Sequence, residues 1–301
     1  MASKKKFHGI IPPVSTIFDE EKKFDEKGMA ELINYLIEGG VHGLLFLGSG
    51  GEFSQMSFNQ RKEVADFCIS YVDKRVPVLI GTGSTSTQES ILLSQHAQSK
   101  GADGVLTVNP YYWSLPQKNL IEHYKNIADS IDIPILLYNF PNLTGQDLSA
   151  ELVLELVKNN PNIIGIKETI DSIEHIRDML TKVKEEHPDF LVFAGTDDHL
   201  LNTLQMGGDG AIPATANFAP EITVGIYNLY KKRDFNKIEE LQHKLMRLLE
   251  IYKLSTPLIG AVKEAIKVKG LNISTQVLPP AQDLSEESKS KVKEILKSLS
   301  I

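Results

Sequence analysis

Eight times over roughly the first 230 residues, a short apolar run is followed by an amphipathic stretch long enough for a helix. The apolar runs are "GIIPPVSTIF", "GLLFLG", "PVLIGTG", "GVLTVNP", "PILLYNFP", "IIGIK", "FLVFAG" and "GAIPA". Helical patterns such as "GMAELINYLIEGG", "FNQRKEVADFCISYVDKR", "STQESILLSQHAQSKG" and "QKNLIEHYKNIADSI" lie between them. Strand-then-helix repetition demands parallel strands joined by right-handed crossovers. Eight such units fit a closed (β/α)8 TIM barrel better than the alternative, a doubly wound open sheet. Helix starts are signalled by Ser57 with Gln60, Ser86 with Glu89 and Ser114 with Gln117, each spaced as a capping box, and by Pro220 at a first helical position.

After about Asp234 the strand signals stop. "NKIEELQHKLMRLLEIYKL", "PLIGAVKEAIKVKG" and "SEESKSKVKEILKSL" read as three further helices. The expected division is therefore a barrel over residues 1–233 and a C-terminal helical region, 234–301, packed upon it. A formal net charge of -7 gives no electrostatic footprint for nucleic acid. Apolar runs are too short to span a bilayer, and "MASKKKF" leads into a stretch too broken for a signal-peptide core. The single cysteine, Cys68, cannot form an intrachain disulfide and reads as a small buried hydrophobe. These features predict a cytoplasmic protein with a small-molecule ligand.

In such a barrel the chemistry belongs at the C-terminal ends of the strands. There the sequence places "GSGGEF", "GTGS", "NPYYW", "YNFPNLTG", "KET", "GTDDH" and "PATAN". Lys167 ends the apolar run "NIIGIK". It could be a snorkelling side chain or the partner of Glu168; alternatively it is a Schiff-base lysine. An amine that attacks a carbonyl must be neutral, and a desolvated strand end favours that form. Tyr138 ends the preceding strand and is either a half-buried aromatic or a proton shuttle, with Ser49 and Tyr112 as relay candidates. "GSGGEFS" lacks the ending of a P-loop and the third glycine of a dinucleotide fingerprint. It does offer backbone N–H groups ahead of a helix, enough for one carboxylate. Asp197, Asp198 and His199 are consecutive and lack metal-ligand spacing, so no metal is expected. Asp197 could cap a helix, or bind substrate hydroxyls.

Taken in order, "GSGGE", "NPYY", "YNFPNLTG" and "GIKE" resemble the pyruvate-dependent class I aldolase superfamily, which includes dihydrodipicolinate synthase and N-acetylneuraminate lyase. The resemblance runs from about Gly9 to the last helix. It implies a barrel with a helical C-terminal region, assembled as a homotetramer (a dimer of dimers). It further implies that Lys167 forms an imine with pyruvate, with no other cofactor, and that Tyr138 shuttles protons. Ser49 would be the relay hydroxyl, Ser49 and Gly50 the cradle for the pyruvate carboxylate, and Tyr112 the residue reaching into a neighbouring subunit's site. Ile212, on the eighth strand, would be a substrate contact.

One departure bears on the substrate. Dedicated synthases of this resemblance carry an arginine where this chain has Leu143, and a leucine offers no fork for a second carboxylate. Gly50 stands where synthases have a threonine. Both changes resemble 2-keto-3-deoxygluconate-type aldolases, with Thr169, Asp197 and Asp198 as partners for polyol hydroxyls. The expected activity is cleavage of a 2-keto-3-deoxy sugar acid to pyruvate and an aldehyde. The alternatives are synthase activity with aspartate semialdehyde, or a non-catalytic sensor.

Overall fold

The computed structural model describes residues 6–301. Strands β1 (Gly9–Ile10), β2 (Leu44–Phe46), β3 (Val78–Gly81), β4 (Gly104–Val108), β5 (Ile135–Asn139), β6 (Ile163–Glu168), β7 (Leu191–Ala194) and β8 (Gly210–Ala211) lie parallel, each beside its sequence neighbour, with β8 beside β1. All eight expected apolar runs contribute a strand, but the first is only two residues long. Pro12 and Pro13 have no N–H to give to a ladder. The ring nonetheless closes there: His42 N donates to Ile10 O (2.8 Å), Leu45 N to Pro12 O (3.0 Å) and Val14 N to Leu45 O (2.8 Å). This closure excludes the open-sheet alternative.

The helices of the repeating units are α1 (Glu26–Glu38), α2 (Phe58–Val72), α3 (Thr87–Lys100), α4 (Gln117–Ala128), the single turn α5 (Pro141–Thr144), α6 (Ala150–Asn159), α7 (Ile173–Asp178), α8 (Leu200–Gln205) and α9 (Pro220–Lys232). Their apolar stripes face the strands; on α1 the buried positions are Gly28, Met29, Leu32, Ile33 and Leu36, the spacing of one helical face. Ser57 and Gln60 form the complete capping box, and Pro220 occupies the first turn of α9. Ser86 caps α3, but the Glu89 carboxylate turns instead to the Ser84 hydroxyl (2.6 Å), leaving half a box. The expected box from Ser114 does not form. Pro116 precedes α4 without a side-chain cap, its fixed φ supplying the entry geometry.

Beyond α9 come α10 (Phe235–Leu248), α11 (Ile259–Val268) and α12 (Glu286–Ser298), at the three places the sequence marks. Helix α11 is buried from Ile259 to Ile266, including Lys263 and Glu264.

One irregularity positions the chemistry. β5 and β6 pair Ile135 with Ile163, but then Leu136 with Gly165, so Ile164 is an extra residue on β6. Without this bulge the register would set Tyr138 beside Ile166; with it, Tyr138 pairs with Lys167. Gly165 permits the close approach of β7, since a Cβ there would lie 2.7 Å from Leu191 O.

Candidate active site

Lys167 is buried at the last turn of the pleat in β6, and its Nζ lies 4.2 Å from the centroid of the Tyr138 ring. The Tyr138 hydroxyl lies 3.3 Å from Ser49 Oγ. Ser49 begins a 3-10 turn, Ser49–Gly51, that follows β2. Three residues from three strand ends thus converge, as expected of the C-terminal mouth of a barrel. Gly81 lets the turn settle there, because a Cβ on it would meet Leu47 O at 1.9 Å. Gly50 is not required in that sense. A Cβ there would meet only Pro13 O, at 3.6 Å, an ordinary contact.

These groups open into a cavity of about 680 Å3. Its wall includes Ser49, Gly50, Tyr138, Lys167, Thr169, Asp197, Asp198 and Ile212, so most of the sequence-marked residues meet at one site. Lys167 is the sole basic residue on that wall among the described residues, and Asp171, Asp197 and Asp198 are its acidic ones. Leu143 also lines it, largely exposed at the rim.

Asp197 does not serve as a side-chain helix cap. Its Oδ1 accepts from the backbone N–H of Thr215 (2.8 Å), the Thr215 hydroxyl and the Tyr252 hydroxyl (2.9 Å). Burial pushes its carboxyl above the usual range, with those hydrogen bonds opposing. The Thr169 hydroxyl has no partner and is shut from solvent beside Gly195, where a Cβ would meet it at 1.9 Å.

Tyr112 stands apart. It is 77% exposed, packed edge-to-face on Trp113 (5.1 Å), and borders a separate groove with Thr85, Lys118 and His123. Its neighbour Tyr111 lines the Lys167 cavity instead. Sequence reading also missed Asp171, although it sits within "KETID", and Tyr252 and the Pro257–Ile259 segment, which come from the C-terminal helical region and carry no local signal.

Behind the site, on the outward face of the same strands, Asn139 Nδ2 donates to Glu168 (3.2 Å) and Asp147 (2.7 Å). His175 sits between those carboxylates, Nε2 3.1 Å from Asp147 and Nδ1 2.8 Å from Glu168. Asp147 first and Glu168 second raise the His175 pKa to about 10, so it is an imidazolium at neutral pH. This square spans β5, β6, α7 and the segment after α5 that carries Asp147. It fixes the register pair Asn139–Glu168 directly after Tyr138–Lys167.

A closed parallel barrel with a lysine, a tyrosine and a serine converging at its C-terminal mouth places this chain among the barrel enzymes. The sequence pattern of the Dihydrodipicolinate synthetase family matches residues 6–299. The chain is 51% identical to "Putative 2-dehydro-3-deoxy-D-gluconate aldolase YagE" of Escherichia coli K12, over 98% of each chain. It is also 51% identical to "Probable 2-dehydro-3-deoxy-D-pentonate aldolase YjhH" of the same strain, over 97% of each. The crystal structure of YagE in complex with pyruvate superposes with a TM-score of 0.96, covering 98% of this chain and 99% of that one. A dihydrodipicolinate synthase structure aligns at 0.91 with 33% identity, covering 98% and 99%. The chain belongs to the dihydrodipicolinate synthetase family.

Proposed function

We propose that this enzyme cleaves a 2-keto-3-deoxy sugar acid to pyruvate and an aldehyde through an imine on Lys167. The observation that carries the reading is the make-up of the cavity wall: among the described residues Lys167 is its one basic side chain, set among hydroxyl residues (Ser49, Tyr138, Thr169) and three acidic ones. A substrate with a single carboxylate at the Ser49–Gly50 turn and a hydroxylated tail suits that wall. Aspartate semialdehyde would bring a second carboxylate to a rim where Leu143 offers no hydrogen bond; ionic hydrogen bonds are worth about 1.5–3 kcal/mol each. The names of the two E. coli relatives, both 2-dehydro-3-deoxy sugar acid aldolases, support the same substrate class.

In this reaction the substrate carboxylate docks on the turn and Nζ of Lys167 adds to the C2 carbonyl, with loss of water. Tyr138, aided by Ser49, takes the proton of the C4 hydroxyl. The C3–C4 bond breaks, its electron pair moving toward the iminium nitrogen, and the aldehyde leaves. The resulting enamine is protonated at C3, and water releases pyruvate and the free lysine. The lysine is itself the electron sink. Membership of the family also suggests a homotetramer in which the exposed Tyr112 completes a neighbour's relay, in a cytoplasmic setting.

The test is pyruvate release from 2-keto-3-deoxygluconate, followed with coupled lactate dehydrogenase. Release by the wild-type protein and none by Lys167→Ala is the expected outcome. Release that survives the substitution would overturn the imine mechanism. Preference for aspartate semialdehyde condensation would overturn the substrate class.

A further inference from the structure

The residue that closes the Ser49–Gly51 turn is Glu52, and it is held in the left-handed region at φ 61. Left-handed backbone disfavours any residue with a Cβ, and persists where surrounding structure enforces it. The enforcing contact is distant in sequence. Glu52 Oε1 accepts from Lys263 Nζ on α11, while Oε2 accepts from Leu278 N (2.7 Å). Lys263 also donates to Gln276 O (2.7 Å) and stands 4.6 Å over the Phe18 ring. Both charged side chains are 0% exposed. From the barrel side, the Thr16 hydroxyl donates to Gly51 O (2.7 Å). The turn is therefore gripped from beneath by the C-terminal region, whose α11 begins within the Pro257–Ile259 segment of the cavity wall.

A buried ion pair is weak evidence for added stability, since desolvating both charges offsets their attraction. Fixing one geometry is its better-attested use. We infer that Lys263 is a positioning residue for the carboxylate subsite: through Glu52 it sets the Ser49–Gly50 backbone at the place where the substrate carboxylate docks. The inference rests on the imine reading and specifies how the chain outside the repeating units contributes to it.

The experiment measures borohydride trapping of ligand on Lys167 by peptide mass spectrometry. It compares wild type, Lys263→Met and the double variant Glu52→Gln/Lys263→Met. Two probes are titrated: pyruvate, and hydroxyacetone, a ketone without a carboxylate. The double variant removes both buried charges and keeps the assay valid where the single variant leaves Glu52 unpaired and unfolds. The expected result is a half-saturating pyruvate concentration raised about tenfold or more, as for loss of one ionic hydrogen bond. Hydroxyacetone trapping and the trapping rate at saturation stay within about twofold of wild type. A folded double variant with wild-type pyruvate half-saturation would overturn the inference, as would equal weakening of both probes. Failure of wild type to trap pyruvate at all would instead refute the imine reading beneath it.

Discussion

Lys167 and Tyr138 make different demands on the same cavity. In the proposed mechanism the lysine supplies the bond to substrate, so Lys167→Ala is expected to abolish borohydride trapping of pyruvate with the fold intact by circular dichroism. Tyr138 is the proposed proton carrier, a role worth about 10²–10⁴ in rate. Tyr138→Phe should therefore lower kcat by about 10² or more while pyruvate is still trapped; a variant with unchanged kcat would remove the tyrosine from the relay. Leu143 lies exposed at the rim, where a longer side chain meets no packing barrier. Leu143→Arg should leave the melting temperature unchanged, and raise turnover of aspartate semialdehyde relative to 2-keto-3-deoxygluconate. Equal effects on both substrates would show that this position does not read a carboxylate. Lys167 and Tyr138 were legible in sequence because each ends an apolar strand. Nothing local marks Asp171 as part of the cavity wall, or Tyr252 as a partner of Asp197, 55 residues away.

The secondary elements carry two expectations of their own. Ser57 and Gln60 satisfy backbone groups at both sides of the start of α2. Ser57→Ala should cost about 1 kcal/mol in a denaturant titration, the usual worth of such a cap. The square of Asn139, Asp147, Glu168 and His175 makes stability depend on pH. The folded His175 pKa, about 10, lies above its ordinary value, so its contribution is complete below that ordinary value and is lost as pH rises toward 10. Asp147 is held below the usual carboxylate range by His175 and Asn139, against burial, and its contribution is lost on acidification. Urea titrations at neutral pH and near pH 10 should show a fall in stability that His175→Gln reduces. An equal fall in both proteins would assign the dependence to other groups. The ends of these elements were partly legible: the box at Ser57 formed as written, and the one at Ser114 lost to Pro116. Spacing alone cannot tell which residue the backbone will reach first.

At the scale of the molecule, the repeating units and the C-terminal helices share one cavity. A chain ending after Arg233 would lack Tyr252 and both partners of the Glu52 carboxylate, Lys263 and the Leu278 N–H. The turn would lose the contacts that hold its left-handed residue, so this truncation is expected to be insoluble or to trap no pyruvate; a soluble, trapping fragment would show that the turn holds itself. The sequence by itself determined the parallel barrel, the order of its strands, the glycine-rich turn after the second strand and the lysine at the end of the sixth strand. Each of these is written in local terms: apolar runs of strand length, helical periodicity and motifs at strand ends. Only the tertiary structure decided that the Ile164 bulge sets Lys167 beside Tyr138, that Tyr112 faces away from its own chain's cavity, and that Lys263 holds a glutamate 211 residues distant. Those outcomes depend on strand register and on packing between segments remote in the chain, which no local periodicity encodes.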